Sequence, residues 1–140
     1  MKSADKSISV RIKSITELEK NIEEKELPED VSIEMRLGSE MGRAEEQDFY
    51  IRMKVLYMYE NRPIVTYTVE YMYEFEDIES VFEFTDVIKD KTGVLPTMTA
   101  MVISGLRGML ALRLENTPYK HYILPYADPA MFVKNMKKEE

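Results

Sequence analysis

The sequence predicts an α+β fold in which a four-stranded antiparallel sheet is followed by two helices packed on one of its faces. Apolar residues alternate with polar residues along much of the stretch from 8 to 75, which is typical of strands with one covered face. Beyond residue 95 the apolar spacing changes to three or four residues, which is typical of helices. At 140 residues the chain fits one domain, which we take as 1–140 with flexible ends at 1–6 and 137–140.

The clearest element is a β-hairpin in the middle of the chain. Residues 49–59 and 65–75 both carry an apolar or aromatic side chain at every second position. The Asn-Arg-Pro sequence at 61–63 predicts the turn between them. These two strands form the centre of the predicted sheet.

Two shorter stretches predict the remaining strands. Residues 8–12 and 31–37 alternate between apolar and polar side chains, and Gly-Ser at 38–39 predicts the end of the second strand. The acidic stretch 17–30 predicts a connection between the two strands, bent at Pro28. We expect a short extended piece at 82–84, where Phe alternates with Glu, and no strand after it.

The predicted long helix spans 96–114 and is apolar on two sides. Pro96 suits the first turn of a helix, where its missing N–H is not needed. Since the second apolar stripe is interrupted mainly by Arg107 and Arg113, we expect the helix to be buried on more than one side. Asp128-Pro129 predicts the start of a short final helix.

The composition argues against an enzyme. The chain has no Cys and one His, which excludes thiol catalysis, disulfides and sites built from thiolates or clustered imidazoles. No Gly-x-Ser-x-Gly motif accompanies His121, and the carboxylates between 70 and 90 fit a solvated acidic face. We therefore expect no catalytic residue, no metal and no cofactor.

The charge and the ends of the chain limit its partners and location. A net charge of −7 opposes binding to nucleic acid and to anionic lipid. The N-terminus lacks the apolar stretch of a secretory signal, and uninterrupted apolar stretches are far shorter than the roughly 20 residues of a membrane span. We expect a cytoplasmic protein that neither binds nucleic acid nor inserts into membranes.

Methionine and tyrosine indicate a binding surface. Eleven of the 140 residues are Met and nine are Tyr, and six of the tyrosines lie between 50 and 73. Flexible thioethers and amphipathic aromatic rings adapt to many apolar partners. We expect most of these side chains in the core and an exposed remainder that binds apolar peptide.

The order of several short motifs over residues 5–136 resembles the SecB family of export chaperones. The motifs are Thr68-Val69-Glu70, Leu95-Pro96, Arg107-Gly108, Leu124-Pro125 and Asp128-Pro129-Ala130-Met131-Phe132. This resemblance implies an ATP-independent holdase that binds unfolded or precursor polypeptides for protein export and delivers them to the SecA motor. It also implies a homotetramer assembled as a dimer of dimers through the long helix and the sheet edges.

The resemblance and the apolar pattern together give three sets of site residues. For client binding we expect Tyr57, Met58, Tyr59, Tyr67, Met72, Met131 and Phe132. For the motor contact we expect Glu70, with Glu17 and Glu19 as further candidates. For the oligomer interface we expect Met101, Ser104, Gly105, Gly108 and Ala111.

Two departures from the SecB pattern keep a second hypothesis open. Residues 135–140 form a short tail with two lysines, whereas the tail of the family is longer and contacts the motor. The sequence of residues 119–122 also differs from the sequence typical of the family. The alternative is an interaction or adaptor domain of the same fold that holds one dedicated partner, for example an antitoxin or a phage- or operon-encoded protein.

Overall fold

The computed structural model describes residues 8–29 and 31–125 and has an α+β fold. Four long strands form one antiparallel sheet in the order β1-β4-β3-β2. The elements are β1 (Val10–Ile22), β2 (Glu34–Arg43), β3 (Asp48–Tyr59), β4 (Arg62–Phe75), α1 (Ile78–Val81), β5 (Phe82–Phe84), β6 (Ile88–Asp90) and α2 (Leu95–Leu114). The predicted four-stranded antiparallel sheet followed by a long helix is confirmed.

The central hairpin sets the faces of the sheet. Phe49 lies opposite Tyr73 and Val55 opposite Tyr67, so the odd-numbered side chains of β3 and of residues 65–75 in β4 share one face. Those side chains are buried under α2 and form most of the core. Since side chains alternate between faces along a strand, the even-numbered side chains of β3 and of residues 66–74 in β4 form the outer face, away from α2. The register shift beside Tyr57 leaves Ile64 as an extra residue, and its side chain is buried in the core.

The turn of this hairpin differs from the prediction. Glu60 and Asn61 are the two turn residues, with φ angles of 51° and 62°. Two consecutive left-handed residues define the tight turn whose twist matches that of the flanking strands. The predicted turn at 61–63 was wrong because Arg62 already pairs with Tyr59 and Pro63 lies in β4 opposite Met58.

The two outer strands are longer than predicted. β1 continues through the acidic stretch to Ile22, and β2 continues through Gly38 and Ser39 to Arg43. The acidic connection predicted from Glu17 was wrong because its carboxylates have cationic or hydroxyl partners on other elements. The predicted end of β2 was wrong because backbone pairing with β3 continues past the glycine without a register shift.

Helix α2 has nearly the predicted bounds and covers β3 and β4. At its start, a carboxylate oxygen of Asp90 accepts a hydrogen bond from the Leu95 N–H at 2.8 Å. By length and mean hydropathy alone α2 could cross a membrane, yet 39% of that apolar window is buried within the protein. The side chains buried on its sheet-facing side are Leu95, Met98, Thr99, Val102, Ile103, Leu106, Leu110 and Leu114.

A small second hairpin closes one end of the core. Phe82 of β5 stacks on Phe49 with ring centroids 4.7 Å apart, and β5 pairs with β6. The predicted extended piece at 82–84 is confirmed, but the expectation of no further strand was wrong. The predicted final helix, which would begin at Asp128-Pro129, lies outside the described residues.

Candidate functional site

One helix cannot cover a four-stranded sheet, and the uncovered part carries apolar side chains. α2 packs on β3 and β4, which leaves the edge strand β1 exposed. Ile12 and Ile15 of β1 are about two-fifths exposed on the helix side of the sheet, and Met101 and Leu112 of α2 are at least as exposed. We call these four side chains the β1–α2 surface.

Contacts between α2 and the sheet place these side chains beside one another. Gly105 lies against the hydroxyl group of Tyr71, and Tyr71 pairs with Ile15 of β1. Met101 and Leu112 lie four residues before and seven residues after Gly105, so they project from the same flank of the helix. The apolar flank of α2 therefore lies on the β1 side of the helix, and both isoleucines lie on the helix side of β1.

The residues predicted for the oligomer interface lie along one side of α2. Met101, Ser104, Gly108 and Ala111 are exposed, whereas Gly105 is half-buried against Tyr71. A Cβ atom at Gly108 would meet no atom within 4 Å. Four of the five predicted residues are therefore accessible to another molecule, and Gly105 serves contact with the sheet of its own chain.

A polar cluster fastens the end of α2 to β1. Arg113 donates hydrogen bonds to both carboxylate oxygens of Glu17, each at 2.7 Å, and the Tyr67 hydroxyl group donates to the same carboxylate. These hydrogen bonds lower the pKa of Glu17 below its usual value. Burial and the bond to Glu17 raise the pKa of Tyr67 to about 12. The predicted motor-contact residue Glu17 therefore lies on the helix side of the sheet.

The outer face carries a row of paired charges. Arg52 of β3 donates to Glu70 of β4 at 2.5 Å and to Glu40 of β2 at 2.7 Å, while Lys54 lies 3.6 Å from Glu19 of β1. Glu70 and Glu19 thus share this face, with their charges balanced by β3. An open groove of about 630 Å³ lies here, lined by Leu18, Glu19, Gly38, Ser39, Glu40, Arg52, Lys54 and Thr68.

The residues predicted for client binding are distributed between the core and both faces. Tyr57 and Tyr67 are completely buried, and the Tyr57 hydroxyl group donates to the backbone carbonyl of Tyr122 at 2.6 Å. Tyr59 packs against the core, while Met58 and Met72 are half-buried on the outer face. Met131 and Phe132 lie outside the described residues.

Apart from Met101, the large apolar side chains that are exposed among the described residues are ones that sequence reasoning did not select. Ile12, Ile15 and Leu18 are exposed, and the pairing of β1 with β4 shifts register at Lys13 and again at Leu18. The bulge at Lys13 adds one residue between Ile12 and Ile15, so both side chains lie on the same face although they are three residues apart. Leu18 is the extra residue of the second bulge and lines the groove of the outer face. The spacing of three between the two isoleucines was the available signal.

Within the described part of the chain, no three His, Asp or Glu side chains converge to hold a metal ion. His121 is exposed. No protein-family model matches the sequence, and no curated protein matches it. The function therefore has to be argued from the surfaces themselves.

We predict opposite effects for the same substitution at the two glycines of α2. Gly105→Ala would place a methyl group against the Tyr71 hydroxyl group and should lower the free energy of unfolding by about 1–3 kcal/mol. The methyl group of Gly108→Ala would point into free space, and this substitution should raise the free energy of unfolding by up to about 1 kcal/mol through helix propensity. Urea unfolding of dilute protein measures both. Tyr71→Phe should partly rescue Gly105→Ala, and equal tolerance at both positions would refute the close contact.

We also predict that Glu17 contributes a pH-dependent part of the stability. Because its pKa is lower in the folded state than the usual 4.5, its contribution is complete above that pH and is lost as the pH falls through the folded pKa. Glu17→Gln should lower the urea midpoint more at pH 7 than at pH 3. Glu26→Gln, at an exposed carboxylate after β1, is the control. A wild-type minus Glu17→Gln difference that is the same at both pH values would contradict the prediction.

Proposed function

We propose that this chain is an ATP-independent holdase chaperone that binds unfolded or precursor polypeptides, as SecB proteins do. The observation that carries the proposal is the β1–α2 surface, where four large apolar side chains are exposed beside a sheet edge. Such a surface offers apolar contacts together with unpaired backbone groups, and an extended polypeptide can use both. Under this proposal the protein acts in the cytoplasm by binding other polypeptides, and it catalyses no reaction.

The dimensions of the β1–α2 surface fit a short extended segment. Met101 and Leu112 are separated by eleven residues, or roughly 17 Å along a helix. An extended chain of about five residues has this length. So short a segment can offer only two or three apolar side chains, and we expect weak, sequence-tolerant binding at each surface. Tight holding of a client then requires several surfaces in one assembly.

The uncovered side of α2 supports a homo-oligomer, with a dimer of dimers as the proposed form. Ser104, Gly108 and Ala111 have small side chains and are exposed. A helix whose exposed side carries such small side chains allows a second helix to approach closely. Assembly of this kind would bring several client-binding surfaces together.

The client-binding proposal predicts that two apolar substitutions matter and two matched ones do not. Ile15→Ser and Leu112→Ser together should weaken suppression of aggregation of an unfolded model protein about tenfold, because they remove apolar contact area. Leu18→Ser and Ile123→Ser are the controls, since Leu18 is 47% exposed against 46% for Ile15, and Ile123 is 69% exposed against 68% for Leu112.

Light scattering without ATP measures the suppression. Equal loss in both pairs, or no suppression by a folded wild-type protein, would refute the proposal. If the wild type instead captures a single folded partner and no unfolded chains, the dedicated-adaptor hypothesis is favoured.

The proposal includes SecA as a partner at the outer face, where Glu70 and Glu19 share the same side of the sheet. Glu19→Gln with Glu70→Gln would leave Arg52 and Lys54 in excess and should weaken SecA binding about tenfold. Glu17→Gln removes a carboxylate from the other face and should leave SecA affinity unchanged. The affinity of each variant is measured by immobilising it on a sensor and titrating SecA over it. Equal SecA affinity for all variants would exclude the contact.

A further inference from the structure

Strand β1 is the least buried of the four strands in the sheet. None of its thirteen residues is buried within the described part of the chain, whereas most residues of its neighbour β4 are buried. β2, at the other edge, places Met41 in the core and pairs with β3 without a register shift. The pairing of β1 with β4 is interrupted by bulges at Lys13 and Leu18. β1 therefore contributes the least apolar burial of its own.

The side chains that β1 places on the helix side of the sheet match β4 poorly. Glu17 lies opposite Val69, and Lys20 lies opposite Tyr67. Val69 and Tyr67 are completely buried. Two charged residues thus occupy positions at which a strand on the covered side of a sheet usually carries apolar residues. A strand with aliphatic side chains at these two positions would bury more apolar surface against β4 than β1 does.

The polar contacts that hold β1 are exposed to water. Arg113 of α2 binds Glu17, and Arg11 binds Glu74 of β4. The side chains of Arg113 and Arg11 are 43% and 65% exposed. Exposed ion pairs contribute little to stability, because water replaces either partner at low cost. β1 can therefore leave the sheet without leaving an unpaired charge in the core.

The connection that follows β1 has contacts of its own. The Tyr119 hydroxyl group donates a hydrogen bond to the backbone carbonyl of Lys25 at 2.7 Å, and Leu27 packs against the core. These contacts fix the chain just beyond the end of β1. Release of β1 therefore requires no change in the path of the connection to β2, and it is a local opening of the fold.

We propose that β1 is a displaceable strand and that the edge of β4 beneath it is a binding site for an extended polypeptide segment with aliphatic side chains at alternate positions. The segment replaces the backbone hydrogen bonds that β4 loses when β1 leaves, and it adds apolar contact. This inference goes beyond the proposed function, because it adds a site that the β1–α2 surface does not include. It does not require holdase activity, so either proposal can fail while the other stands.

The test offers the protein three fluorescent peptides. The first copies residues 10–22, the second also carries Glu17→Val and Lys20→Val, and the third carries Thr16→Val and Asn21→Val instead. All three peptides have the same net charge, but Thr16 and Asn21 lie on the outer face, opposite Glu70 and Thr66. The second peptide should therefore bind about tenfold more tightly than the first, and the third should bind like the first.

Fluorescence anisotropy measures the three affinities. If none of the peptides binds, or if the second and third bind equally well, the proposal is overturned. Equal binding of those two would mean that added valine, and not its position opposite Val69 and Tyr67, determines the affinity.

A disulfide between β1 and β4 checks that β1 must leave. Ser14 and Met72 are paired residues, and the Cα separation of such pairs, about 4.5–5.5 Å, suits a disulfide. Since the sequence has no Cys, Ser14→Cys with Met72→Cys adds a single pair of thiols. The oxidised double variant should bind the second peptide at least tenfold more weakly than its reduced form. Equal binding by both forms would place the peptide elsewhere and refute the proposal.

Hydrogen exchange of the wild type gives a measurement that needs no variant. When the second peptide is bound, the backbone amides of residues 10–22 should lose protection, while those of β2 should keep it. This result decides the matter even if the double variant does not fold. Unchanged protection of β1 in the complex would exclude displacement.

Discussion

The structure depends on a mismatch of width between one helix and four strands. A helix with its side chains is about 10 Å wide, and adjacent strands are about 4.8 Å apart, so α2 covers roughly two strands. It covers β3 and β4, whose inward side chains are completely or almost completely buried. Segments before β2 and after α2 supply Leu27, Ile33 and Tyr122 to the core near β2. β1 receives less cover, and its isoleucines stay exposed.

The charged outer face fixes which side of the sheet faces α2. Exposed ion pairs contribute little to stability individually. However, a shift of one residue in any strand would move a row of carboxylates and guanidinium groups into the apolar core, which is far more costly than losing a few ion pairs. The pairs of Arg52 with Glu70 and Glu40 join three neighbouring strands in one register. The paired charges therefore add specificity, while burial beneath α2 supplies most of the stability.

Sequence reasoning succeeded where the determining contacts are local. The central hairpin and α2 follow from the periodicity of their own residues, so the bounds of β3 and α2 were predicted to within one residue, while β4 begins at Arg62 and not at the predicted Val65. The length of β1 was not predictable, because the Glu17 carboxylate is satisfied by Arg113, which is 96 residues away. The exposure of Ile15 could not be predicted either, since it depends on which strands α2 covers. The periodicity of a sequence indicates which faces of its helices and strands are apolar. Tertiary packing decides which of those apolar faces remain exposed to solvent.

The β1–α2 surface lies at one edge of the sheet and binds only a short segment of a client. If several copies of this chain assemble, a client bound at one β1–α2 surface stays close to the others, and the second contact would form at a high effective concentration. Weak binding at each short surface would in that way become firm holding of a long, unfolded chain.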